Sequence, residues 1–246
     1  MPGLSAAATL DLWERAAPLS PVERALEMAA AVGPDRDVDT IARLPVGRRD
    51  ARLLRLRADL AGDMLEAITT CPACGERIEF TTDVAALSAS GSDVTPPRPI
   101  ELDGHAVAWR SPDSLDVAAA AATGSAVGAE RVLLERCILS VSGSDGSVVP
   151  VALPPSVRQA VVAAMAEADP LAEVLVGLTC PACTTTFSGE LDVATFVWAE
   201  VKARAQRILR EVAALAAAYG WTEDQVLVLS EGRRTAYLAL AGEAAT

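Results

Sequence analysis

The sequence predicts an α+β protein, mostly helical, with a small central strand unit built from two distant pieces and a small α/β region inserted between them. Three observations predict this. Helix starts and apolar helical faces fill both ends of the chain. Strand-like stretches flank two matching turns, Cys71-Pro72-Ala73-Cys74 and Cys180-Pro181-Ala182-Cys183, which stand 106 positions apart. Between them lie a Ser-, Gly- and Pro-rich stretch and two Asp-Gly turns, which mark an insertion with its own hairpins.

Composition narrows the class. A chain of 246 residues can bury a real core. Apolar residues make up 51% but aromatics only 4%, so Ala, Val and Leu must fill it. The net charge of −12 argues against a nucleic-acid or anionic-membrane binder, which would usually be basic. No apolar run approaches the ~18 residues that span a bilayer. Met1-Pro2-Gly3-Leu4 lacks a basic region followed by a hydrophobic stretch, so a cytoplasmic chain without a signal peptide is expected. In a reducing compartment, paired cysteines favour metal over disulfides.

Along the chain, Leu10, Leu12 and Trp13 begin an apolar stripe. Ser20-Pro21-Val22-Glu23 is a helix start, with Ser as N-cap, Pro in the first turn and Glu closing a capping box. That helix should stop at Gly33-Pro34. Asp39 is placed to cap a short helix through Leu44, and Pro45 and Gly47 to break the chain. A further helix should bury Leu53, Leu54, Leu56 and Leu60 and turn Arg48, Arg49, Arg52, Arg55 and Arg57 mostly outward. Strands are expected over 64–68 and 77–82 around the first Cys pair, then a short helix over 84–87 capped by Asp83. Residues 88–99 read as a linker.

The insertion opens with a hairpin, 100–102 and 105–109, around Asp103-Gly104. Ser111-Pro112 should open a helix to about Ala122. Residues 124–128 interrupt, and 129–138 is helical with Val132, Leu133, Cys137 and Ile138 on its apolar side. Asp145-Gly146 is a second turn, and Pro154-Pro155 starts a helix to about Ala168. Strands over 172–178 and 185–190 flank the second Cys pair. Asp192 then caps the longest helix, whose stripe runs Val197, Val201, Ala205, Ile208, Val212, Leu215 and Tyr219 and ends at Gly220. Thr222 to Gln225 is another capping box, and Ser230 can cap a last helix. The expected organisation is an N-terminal helical arm (1–70), ribbon halves (64–87 and 172–196), an inserted subdomain (88–171) and a C-terminal helical arm (192–246).

Two internal echoes sharpen this plan. Both Cys pairs read Thr-Cys-Pro-Ala-Cys, and both are followed nine residues later by Asp-Val-Ala, at Asp83 and Asp192. Two such halves facing each other make a zinc ribbon, a small sheet pinned by one ion. Separately, Leu, Gly, Arg, Arg, Ala and Leu recur in register in 44–53 and 229–238, each a short helix, a break and a second helix opened by two arginines.

Cys71, Cys74, Cys180 and Cys183 therefore form a candidate tetrahedral site. Zinc suits four thiolates and needs no open position, while iron in a rubredoxin-like cage would use the same ligands. Thr184 follows the second pair where Gly75 follows the first. Dithiol redox chemistry fits poorly, because a reactive Cys-x-x-Cys opens a helix and these pairs sit between strands. His105, the only His, reads as an exposed strand residue, and Cys137 as a buried thiol. With no phosphate loop and no paired carboxylates, the chain reads as non-enzymatic.

Several stretches together resemble a known family. They are Leu44-Pro45-Val46-Gly47-Arg48-Arg49-Asp50-Ala51, Cys71 to Glu76, Leu134-Glu135-Arg136-Cys137, Asp169-Pro170-Leu171-Ala172-Glu173, Leu178 to Cys183, Trp198-Ala199-Glu200 and Tyr219 to Glu223, with Leu229-Ser230, Arg233-Arg234 and Tyr237-Leu238. In order and number they are similar to the T-even-type phage baseplate (hub assembly) family, in its zinc-ribbon form found in contractile injection system and phage-tail-like gene clusters. Lys202 is the only Lys among many Arg, a usage that suits a GC-rich bacterial genome. The resemblance implies a non-enzymatic structural or assembly component of a contractile-tail baseplate, with hub, spike or tube proteins as partners and incorporation into the particle one outcome. The four Cys carry over as metal ligands, and Arg48, Arg49, Arg233 and Arg234 become the first residues to consider for partner binding. The competing readings are a zinc-ribbon nucleic-acid-binding adaptor and a dithiol oxidoreductase.

Overall fold

Most of the helix starts seen in the sequence form as expected, because each supplies its own hydrogen-bond partners. The computed structural model describes residues 4–89, 98–143 and 153–244. Helix α1 spans Ala6–Ala16 and α2 spans Pro21–Ala30. In the α2 capping box the Ser20 amide donates to Glu23 (3.0 Å) and the Glu23 amide to Ser20 (3.4 Å), an arrangement that contributes about 1 kcal/mol. Helix α3, Val38–Ala42, is capped by Asp37 and not by Asp39. Asp37 keeps an extended backbone and accepts the Thr40 amide at 3.0 Å, which leaves Asp39 inside the first turn.

Helix α4, Val46–Ala61, corrects the expected break at Gly47. Gly47 is buried inside the first turn, where its amide donates to Asp169 at 2.9 Å. A Cβ on Gly47 would lie 1.9 Å from the Asp169 carboxylate. Glycine is thus needed for close approach and not to end a helix. Pro45 offers α4 no side-chain cap, and Asp169 supplies one from 122 positions away. Leu53, Leu54 and Leu56 are fully buried, each worth ~1.5–3 kcal/mol of transfer free energy.

Strands β1 (Met64–Thr70) and β2 (Arg77–Asp83) form an antiparallel hairpin, followed by α5 (Val84–Ala89). In the insertion, β3 (Ile100–Leu102) and β4 (His105–Trp109) flank Asp103 and Gly104, whose φ values of 52° and 74° both lie in the left-handed region that a two-residue hairpin turn requires. Helix α6, Ser114–Ala121, is capped by Asp113 in a box with Asp116 and not by Ser111-Pro112. Pro112 is engaged elsewhere, since its carbonyl accepts the Val46 amide at 3.0 Å and joins the insertion to the start of α4. Helix α7, Ala126–Cys137, starts earlier than expected because Ser125 caps it and Gly128 is absorbed in its first turn. Strand β5 (Ile138–Gly143) adds to β4, and α8 spans Pro155–Ala168. The Asp145-Gly146 turn and most of the 88–99 linker lie outside the described residues.

A short 3-10 turn, Pro170–Ala172, leads into the hairpin of β6 (Val174–Thr179) and β7 (Thr186–Leu191). Helix α9 runs Val193–Tyr219 between the Asp192 cap and left-handed Gly220, and α10 (Glu223–Leu227) and α11 (Glu231–Ala244) follow. The two Cys hairpins are separate two-stranded sheets, so the expected single small sheet is corrected. Among the described residues each hairpin pairs its strands only with each other, and the two meet through side chains.

The main core joins both ends of the chain. Leu12, Met28, Ile41, Leu53, Leu65, Val174, Val197 and Val201 lie in one buried cluster, and α1, α2 and α4 all pack on α9. The insertion has its own cluster around Val107, Trp109, Leu134, Val157 and Val161.

Candidate metal centre

Two pairs of thiols more than a hundred positions apart converge at the tips of the two Cys hairpins. The Sγ atoms of Cys71, Cys74, Cys180 and Cys183 all lie within 4.8 Å of one another. The Sγ atoms of Cys71 and Cys183 are 3.7 Å apart, and those of Cys74 and Cys180 3.6 Å. A tetrahedron with bonds of about 2.3 Å has edges of about 3.8 Å, so these separations fit a four-thiolate cage. They are far longer than the ~2.05 Å of a disulfide.

Local backbone structure aims the sulfurs. In the first knuckle the Cys71 amide donates to Glu76 (2.8 Å) and the Gly75 amide to Cys71 (2.9 Å). In the second the Cys180 amide donates to Thr185 (3.0 Å) and the Thr184 amide to Cys180 (2.9 Å). The turns are superposable in pattern, and the sulfur pairing is reciprocal: the first Cys of one knuckle meets the last Cys of the other. Cys71 and Cys180 are buried, packed with Ile78 and Phe187, which hold the same place in each hairpin. The cage is thus dry on one side and open at Cys74.

Without an ion the two outer thiols differ. The Glu76 amide pulls the Cys74 pKa down, but hydrogen bonds with Cys183, Cys180 and Cys71 outweigh it and push it up to about 12. Cys183 is lowered to about 6, first by the Thr185 hydroxyl, 3.3 Å away, and then by the Thr185 amide. Cys183 is thus the readier of the two outer ligands, and Cys74 must lose its proton to bind a cation.

The arginines expected at a docking surface divide in a regular way. Arg48 and Arg233 are exposed. Arg49 and Arg234 are buried, at 6% and 3% exposure, and so cannot present a surface. Arg49 pairs with Asp50 (2.8 Å) and donates to Ser114 (3.2 Å), while Arg234 pairs with Glu211 (2.7 Å) and donates to the Leu229 carbonyl (2.7 Å). Arg57, also expected outward, is buried against Glu200 at 3.0 Å. Inward guanidinia fill these sites because each finds a carboxylate, without which burial would be prohibitive.

Sequence reasoning missed a buried ionic knot in the insertion. Asp116 is fully buried and accepts from Arg110 (3.0 Å), Arg136 (2.7 Å) and the Asp113 amide (3.0 Å). Burial works to raise its pKa, but Arg110, the Asp113 amide and Arg136 hold it well below the usual carboxylate range. The Asp-x-x-Asp spacing at 113 and 116 was the available signal. Cys137 is buried as expected and lies 3.6 Å from Asp116, and its burial, with that carboxylate, pushes its thiol up to about 12. His105 is half-buried, with Nδ1 2.9 Å from the Asp103 carbonyl.

Among the described residues no helix is long and apolar enough to cross a membrane. No curated protein and no solved structure gives a significant match to this chain. A family model described as T4 bacteriophage base plate protein matches residues 27–197. That span runs from the last turn of α2 to the start of α9 and takes in both cysteine knuckles and the whole insertion, well over half of the sequence. The chain therefore belongs to the T4 bacteriophage base plate protein family.

Proposed function

We propose that this protein is a non-enzymatic structural or assembly component of the baseplate hub of a contractile phage tail or contractile injection system, stapled by one zinc ion. The family match carries this reading, because it encloses both cysteine hairpins and most of the core that joins them. Cys71, Cys74, Cys180 and Cys183 would hold the ion, and the Sγ separations of 3.6 and 3.7 Å support a closed four-sulfur site. Four protein ligands leave no position for substrate, so the ion's contribution is to tie the two hairpins together. The partners would be hub, spike or tube proteins of the same particle.

Two measurements test this. Clean deletion of the gene in a host that makes contractile particles is expected to give particles without assembled baseplates, and normal contractile particles would overturn the role. Metal analysis of the purified chain should find about one zinc per chain, with thiol reactivity appearing only after chelation. Iron, or freely reactive thiols in the untreated protein, would overturn the zinc staple.

A further inference from the structure

The first arginine of the N-terminal pair belongs to a groove that the metal centre does not explain. Arg48, Arg52 and Arg55 lie three and four residues apart on α4, a spacing that lines side chains along one helix face. They edge an open groove of about 640 Å³ whose apolar lining includes Val32, Leu44 and Pro45. No carboxylate is among its lining residues, although the chain as a whole carries −12.

The three guanidinia are only weakly paired from within. Arg48 is exposed and makes no contact ion pair among the described residues, though it acts at longer range on the buried Asp169, which already accepts the Gly47 amide. Arg52 donates to the Asp35 carbonyl at 2.9 Å, which positions it without cancelling its charge. Arg55 faces Asp59 at 3.4 Å, with its side chain 60% exposed, and a pair of that kind is worth little in water. The contrast is with the buried Arg49, Arg57 and Arg234, each held by a carboxylate.

We infer that this groove docks an acidic, amphipathic segment of a neighbouring protein, with aliphatic side chains on the apolar floor and carboxylates paired to Arg48, Arg52 and Arg55. Guanidinium forks suit carboxylates, and contact excludes the water that weakens such pairs in the free chain. A nucleic-acid duplex fits less well. Its long run of phosphates would meet the acidic remainder of the molecule, and it offers nothing aliphatic for Val32 and Leu44. The inference deepens the assembly reading above, and its test in solution does not depend on particle formation.

The test uses the full metal-loaded chain and a fluorescein-labelled helical peptide with Leu and Glu at three- and four-residue spacing. Fluorescence anisotropy at low salt should show binding that weakens with added salt. The double variant Arg48→Glu with Arg55→Glu should weaken it about tenfold or more, because two attractive pairs become repulsive. Lys202→Glu, at an exposed lysine on α9, should leave it unchanged, and all three proteins should melt alike. The inference is overturned if the wild-type chain does not bind the peptide, or if the double variant binds it equally well. It is likewise overturned if poly-glutamate binds as tightly as the Leu/Glu peptide, which would remove the floor. Duplex DNA of equal charge competing more strongly would point to a polyanion site and overturn it too. Peptide binding together with normal particles after gene deletion would leave the groove standing and remove the baseplate role.

Discussion

The two cysteine knuckles have the same turn and the same anchors but different consequences. Each hairpin has a buried apolar residue six positions before its first Cys, Leu65 or Val174, and hands over to a buried valine, Val84 or Val193, after an Asp. Both anchors of both halves enter one core. The first half then ends in α5, six residues long, while the second launches α9, 27 residues long, on which α1, α2, α4 and α11 pack. The metal end of each half is thus nearly symmetric, and the asymmetry lies in the helix that follows. A local turn needs few residues to set its geometry, whereas the length of a helix follows from how much apolar surface its neighbours cover.

That comparison can be broken first at the sulfurs. Cys71→Ser and Cys180→Ser, the two buried positions, should each abolish stoichiometric metal and cost at least about 3 kcal/mol, roughly 10 °C in melting temperature for a chain of this size. Metal analysis and a thermal melt check both. Full stability in either variant would show that the knuckles do not share an ion. The helical core, which joins both ends of the chain independently, should keep much of its far-ultraviolet signal.

A smaller difference separates the knuckles after chelation. The Cys183 pKa is depressed to about 6, so its thiolate is present above that pH and is lost as pH falls through it. Cys74, pushed up to about 12, stays protonated across the neutral range. Iodoacetamide followed by peptide mass mapping at pH 7 to 8 should label Cys183 well before Cys74, and the preference should fade below about pH 6. Equal labelling would remove the distinction. Metal affinity should fall on acidification, since every ligand must be deprotonated to bind.

The smallest expected effect is at the residue after each pair. Gly75 and Thr184 both have left-handed backbones, at φ 79° and 59°. Space is open around Gly75, so Gly75→Thr should cost only the backbone strain, about 1 kcal/mol. Thr184→Gly relieves that strain but loses the bond from the Thr184 hydroxyl to the Cys183 carbonyl at 2.7 Å, so it should change stability by no more than about 0.5 kcal/mol. Chemical denaturation of the two variants gives the ratio, and equal losses would mean that the turns are not equivalent.

Local chemistry in the sequence was enough for the α+β class, the two hairpins, the Ser20, Asp192 and Thr222 caps, the Gly220 stop and the four converging cysteines. Each depends on residues within a few positions, and the Cys repeat shows its own pairing. Tertiary structure alone decided the rest. Gly47 looks like a break until Asp169 is brought beside it from 122 positions away. Arg48 and Arg49 are alike in sequence, and only the packing of α4 gives one to solvent and the other to Asp50 and Ser114. Asp116 gathers Arg110 and Arg136 from separate elements. A charged side chain's direction is set by which partners lie close enough to offset its desolvation, and those partners exist only once the chain is folded.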